Sequence, residues 1–189
     1  MEPVIALYDA NVLYPAPVRD LLLRLAQTGM VRARWSEAIH DEWTRNLLSN
    51  NPQVSPDRLV RTRTLMNEAI RDSVVEGYED LIPTLSLPDP DDRHVLAAAI
   101  HAGAEFLVTY NLKDFPDTTL SAFDVAAIHP DQFVPMLLDV STESVCEAVR
   151  RQREALRHPP RTVEELFATF QAHGLVQTVA RLQVFANRL

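Results

Sequence analysis

Residues 4–15 read VIALYDANVLYP. The first five are apolar, with β-branched and aromatic side chains among them, and predict a short buried strand over 4–8. Asp9, Asn11 and Pro15 follow at once, a change of composition that predicts a loop at the carboxyl end of that strand. Val18, Leu21, Leu22 and Leu25 then recur at helical spacing until Gly29 stops the run. The chain thus opens as strand, loop and helix.

The same alternation continues outward. In 31–35 apolar residues alternate with Arg32 and Arg34, as in a strand, and Ser36 can cap a helix carrying Ile39, Glu42, Trp43 and Leu47. Residues 50–56 are polar and turn-rich. An amphipathic helix is predicted from about Pro56 to Val75, with Leu59, Leu65, Met66 and Ile70 on its apolar side and Arg58, Arg61, Arg63 and Arg71 along it. The stretch LPDPDD, 87–92, introduces a helix with Val95, Leu96, Ala99 and Ile100 on one side and Gly103 as its stop. Residues 106–109 and 125–128 read as further strands, with 111–116 a loop between them.

Strands alternating with helices imply an α/β fold with a parallel sheet. After about Thr142 the pattern is wholly helical: Val145, Ala148 and Val149, then Val163, Leu166, Phe167 and Phe170, then Leu175, Val179 and Leu182. The expected organisation is a domain over 1–140 and a helical extension over 141–189. The apolar faces of that extension must be covered by the main domain, a second copy of the chain or a partner protein.

A chain of 189 residues, 47% of them hydrophobic and 23% charged, can bury a substantial core. Its one cysteine, Cys146, forms no internal disulfide and belongs to no zinc-type pair, so a reducing cytoplasm and a buried helix position are expected. Glu2 and Pro3 lead straight into the first strand without a signal-peptide pattern, and no apolar run of about 20 residues offers a membrane span. A soluble cytoplasmic protein is expected. The net charge of −8 argues against a polyanion binder working by bulk electrostatics. Phosphate would have to be neutralised locally, by cations held on acidic residues or by arginines, since Lys113 is the only lysine.

Four carboxylates fall at informative places. Asp9 follows the first strand, Glu42 lies in the helix after the second, Asp92 stands at a helix start and Asp114 lies just beyond a later strand. Ligands gather at the carboxyl ends of strands in open parallel sheets, so Asp9 and Asp114 can converge there. Whether Asp92 and Glu42 join them depends on the fold. Each has an ordinary structural explanation as a cap, a turn former or a solvated helix residue. The combination is what points to a site.

Three segments, 7–15 (LYDANVLYP), 92–99 (DRHVLAAA) and 107–115 (LVTYNLKDF), resemble in order the acidic motifs of PIN domains, most closely those of VapC-type bacterial toxins. The resemblance covers the chain to about residue 130. It implies an α/β/α sandwich with a central parallel sheet, to which the C-terminal helices are an addition, and a metal-dependent endoribonuclease activity. Asp9, Glu42, Asp92 and Asp114 would hold Mg²⁺ or Mn²⁺, with Asn11, Thr109 and Asn111 as polar neighbours. Glu37 and Asp41 compete with Glu42, whose place in the helix favours it; Asp91 competes with Asp92, which stands at the family's spacing from Val95 and Ala97. Hard divalent cations suit clustered carboxylates, which repel one another without them, and such an ion can activate water for attack on phosphorus. The resemblance also implies an RNA substrate, a protein antitoxin of a type II toxin-antitoxin pair, and a possible homodimer.

Two other readings are weighed against this one. A non-catalytic interaction domain on a nuclease scaffold fits less well with all four acids present. A haloacid-dehalogenase-like phosphatase would want an acid two residues after Asp9, where this chain has Asn11. His40, His94, His101 and His129 form no metalloprotease motif, and packing explains them.

Overall fold

The computed structural model describes residues 2–189. Four parallel strands, β1 (Val4–Tyr8), β2 (Val31–Arg34), β3 (Phe106–Val108) and β4 (Ala126–Ile128), form one sheet in the order β2-β1-β3-β4. β1 is central, aligning Leu7 with Arg34 on one side and with Leu107 on the other. Ala6, Leu7, Tyr8, Leu107 and Val108 are fully buried, as an inner strand pair covered on both faces demands. The ladder runs on past the strand ends, for the Asp9 amide donates to the Val108 carbonyl and the Thr109 amide to that of Ile128.

Between β1 and β2 lie α1 (Ala10–Leu13) and α2 (Ala16–Gln27). α3 (Glu37–Asn50), α4 (Pro56–Ala69) and α5 (Arg93–His101) connect β2 to β3, and the short α6 (Asp117–Leu120) connects β3 to β4. Ser36 caps α3 through a bond from the Ile39 amide. Helices on both sides of the parallel sheet make the expected α/β/α architecture.

α4 ends at Ala69, six residues before the periodicity predicts. The backbone extends at Ile70 and takes a positive φ of 56° at Asp72, after which Ser73 and Val75 bond to Trp35 and lengthen the sheet edge beside β2. Sheet pairing and burial of Ile70 and Val75 outweigh the local helical pattern. Leu65, expected on the apolar side of α4, is 52% exposed.

The C-terminal part contains α8 (Thr142–Ala155), α9 (Val163–Ala172) and α10 (Val176–Leu182), preceded by α7 (Pro130–Val140), a helix the sequence reading leaves unassigned. His129 caps the start of α7 and Pro130 occupies the first turn, where its missing N–H costs nothing, while Pro135 lies inside the helix. α8 packs on α2, where Gln152 donates to the Pro17 carbonyl at 2.8 Å. Val145, Ala148, Val149, Leu166, Phe167, Phe170, Leu175, Val179 and Leu182 are all buried, with Cys146 among them. The apolar faces of these helices are therefore covered within the chain itself. Among the described residues no helix is long and apolar enough to cross a membrane.

One buried acid ties α7 to α10. Asp131, 5% exposed, accepts from the amides of Gln177 at 2.9 Å and Thr178 at 2.8 Å, two donors that the first turn of α10 leaves without partners. Asp131→Ala should cost about 2 kcal/mol of stability, the scale of losing charge-assisted bonds to buried donors. Urea unfolding at neutral pH checks this, with Asp131→Asn expected to lose less.

Candidate active site

Asp9 is the first residue past the central strand and the N-cap of α1, and it is 4% exposed. Its Oδ1 accepts from the Ala10 amide at 2.7 Å. Its Oδ2 accepts from the Thr109 hydroxyl and from Asn11 Nδ2, both at 2.7 Å. Asn11 Nδ2 also donates to Thr109 Oγ1 at 2.9 Å, and that oxygen accepts from the Asn111 amide at 2.9 Å. Asn11 Oδ1 takes the Tyr110 amide at 3.0 Å. The exits of β1 and β3 are thereby laced together, which is possible because the two strands are neighbours in the sheet. Asn111 donates in turn to Asp114.

Glu42 projects from α3 into a cavity of about 260 Å³ that Ala10, Asn11, Tyr14, Asn46 and Asn50 also line. Its carboxylate is 3.5 Å from Nε2 of His94, in the first turn of α5. The competing acids point elsewhere. Glu37 and Asp41 both pair with Arg63 of α4, and Asp91 is exposed, its amide bonded to Asp89.

The four acids act on one another electrostatically. Burial pushes the Asp9 carboxyl up to about 6; the Thr109 bond opposes this and Glu42 adds to it. Burial likewise raises Asp92 to about 7, and Asp9, Asp89, Asp114 and Glu42 each raise it further. Asp92 is thus where the repulsion of the cluster is felt. Among the described residues no three acidic, histidine or cysteine side chains are gathered tightly enough to enclose an ion directly. The arrangement is an open acidic cleft at the carboxyl ends of the strands.

The charge of Asp89 also raises Asp92, and His94 stands beside Glu42. Asp89 caps the turn at 90–92. The spacing of Glu42, Asn46 and Asn50 on α3, four residues apart, was a legible sign of one shared polar face. His40 is fully buried, accepting from the Trp43 indole at 2.9 Å and meeting Asn67 at 3.0 Å, a bond that needs the proton on Nε2; burial lowers its pKa. His129 caps α7, and His101 lies beside Gly77.

Residues 6–113 match the profile of the PIN domain family, and residues 130–184 match that of the VapC50 C-terminal domain. Over 90 residues the chain is 41% identical to the protein named "Putative ribonuclease VapC50" of Mycobacterium tuberculosis, an alignment covering 48% of this chain and 53% of the relative. The chain therefore spans about half the length of the curated relative it matches. No solved structure matches the chain.

The raised carboxyls of Asp9 and Asp92 make stability depend on pH. Both hold a proton in the folded state up to about 6 and about 7, whereas their ordinary value is 3.8. The folded state therefore binds more protons across that window, and these two acids lower stability as pH rises from about 4 to 7. In EDTA the melting temperature should fall between pH 5 and pH 8. Asp9→Asn and Asp92→Asn should each flatten the fall in a thermal-unfolding series, and a slope unchanged in both variants would show that the strain lies elsewhere.

Proposed function

The chain belongs to the PIN domain family, and on that premise we propose that it is a Mg²⁺- or Mn²⁺-dependent endoribonuclease, the toxin of a type II toxin-antitoxin pair. The observation that carries this reading is that Asp9 and Asp114 are held at the exits of neighbouring strands by Thr109, Asn11 and Asn111, and that their charges and that of Glu42 act on Asp92. The identity with a relative whose name says ribonuclease supports it.

The donor set fits a hard divalent cation. It offers carboxylate oxygens without sulfur, and the open cleft suits Mg²⁺, which keeps several waters and takes one or two carboxylates rather than a closed protein cage. Asp9, Glu42, Asp92 and Asp114 would hold the ion, one or two of them directly and the others through its waters. Once bound, it supplies charge neutralisation at the phosphate and an acidified water. The chain's own residues do the rest. Thr109 and Asn11 fix Asp9 Oδ2, so that this carboxylate keeps one orientation. Asn111 steadies Asp114 in the same way. Attack by water in line with the leaving oxygen leaves a 5′-phosphate and a 3′-hydroxyl.

The phosphatase reading fits the geometry less well. Asp9 already accepts three hydrogen bonds through its two oxygens, and Asn11 is committed to Asp9, Thr109 and the Tyr110 amide with no proton to give a leaving group. The partners proposed are RNA as substrate and a protein antitoxin that covers the acidic cleft.

Purified protein with a mixed set of structured and single-stranded RNAs, in Mg²⁺, Mn²⁺ or EDTA, tests the reading. Cleavage is expected with metal and not with EDTA. It should drop about 100-fold or more in Asp9→Asn and in Asp92→Asn, at or beyond the loss typical of a ligand's supporting partner. Undiminished cleavage in both variants would sink the assignment of these residues.

A further inference from the structure

Tyr110 joins the acidic cleft to the C-terminal helices. Its amide donates to Asn11 Oδ1, and its hydroxyl donates to the His173 carbonyl at 2.8 Å. Its ring meets His129 edge-on, with centroids 5.0 Å apart and planes at 82°. The turn that receives it is well defined. Gly174 has φ +79°, a conformation that favours glycine, and a Cβ added there would lie 3.8 Å from Tyr110 Cε1. The Gly174 and Leu175 amides close the turn on Gln171 and Phe170. Just beyond it, Asp131 holds the first turn of α10. On the other side of Tyr110 stand Thr109, which bonds to Asp9, and Asn111, which bonds to Asp114.

We propose that the α9–α10 turn is part of the catalytic unit, holding the loop 109–114 through Tyr110, which is a positioning residue for Asp9 and Asp114. The catalytic consequence rests on the nuclease reading; the ordering of the loop does not. A side chain pinned at its hydroxyl, with its own amide bonded to Asn11, leaves the loop little freedom to carry Thr109 and Asn111 away from the carboxylates. The C-terminal helices then do more than cover apolar surface: they set the geometry of a cleft to which they contribute no acid.

The test uses the full chain as wild type, Tyr110→Phe and Tyr110→Ala, with Asp139→Asn as comparator. Asp139 pairs with Arg181 between α7 and α10, away from Tyr110. Amide hydrogen exchange without metal reads the loop, Mn²⁺ titration calorimetry reads the site, and kcat and KM on a cleaved RNA read the chemistry. In Tyr110→Ala the Asn111 amide should exchange about 10-fold faster while the β1 amides keep their protection. Mn²⁺ affinity should fall about 10-fold, and kcat should fall with KM nearly unchanged. Tyr110→Phe, which keeps the ring and loses only the bond to His173, should show a smaller change in the same direction, and it decides the matter if the alanine variant does not fold. Asp139→Asn should leave loop exchange and Mn²⁺ affinity as in wild type. Unchanged loop exchange in a folded Tyr110 variant, or the same acceleration in Asp139→Asn, would overturn the proposal. A wild type that neither binds Mn²⁺ nor cuts RNA counts against the nuclease reading alone, since the exchange rates still decide the loop.

Discussion

The hydrogen bond from Thr109 to Asp9 Oδ2, made inside the protein at the shared end of two neighbouring strands, is the interaction on which the site depends. A buried carboxylate without donors costs far more than a chain of this size can spare. Three donors meet that demand here: the Ala10 amide, the Thr109 hydroxyl and the Asn11 amide group. They do not meet it fully, for burial still leaves Asp9 raised to about 6. Positive charge placed among Asp9, Glu42, Asp92 and Asp114 relieves both the desolvation and the mutual repulsion.

The strands and the order of the acids were legible because they depend on local pattern. Apolar runs at 4–8 and 106–108, each followed at once by polar residues, mark buried parallel strands and the loops at their carboxyl ends. What lay beyond reach depended on contacts distant in sequence. α4 stops early because Trp35 pairs with residues 73–75, and nothing in the period of 56–75 carries that information. α7 carries Pro135, whose effect on a helix is decided by its position and packing rather than by its presence. Among Glu37, Asp41 and Glu42 the helix position favours Glu42, but that Arg63 occupies the first two from another helix is invisible in the sequence.

His94 and Tyr110 show the same limit at the site. His94 reads as one polar residue on a helix until the fold sets its ring against Glu42. Tyr110 sits inside a motif resembling that of a known family, yet its hydroxyl is committed 63 residues away. Both act through neighbours that sequence spacing cannot bring together. The covering of α8 to α10 by the chain's own core was likewise one of three open choices, and Gln152, Asp131 and the buried phenylalanines decide it.

The central position of β1 has a consequence for how the protein is made. Thr109 is translated 100 residues after Asp9, and the His173 carbonyl that holds Tyr110 later still. A nascent chain folds from its N-terminus as it lengthens, and pairings over such separations close last. Until then Asp9, Glu42 and Asp92 are solvated acids on an unfinished sheet. The four acids and the loop that holds two of them therefore come into register only after the chain from Asp9 to His173 has been made.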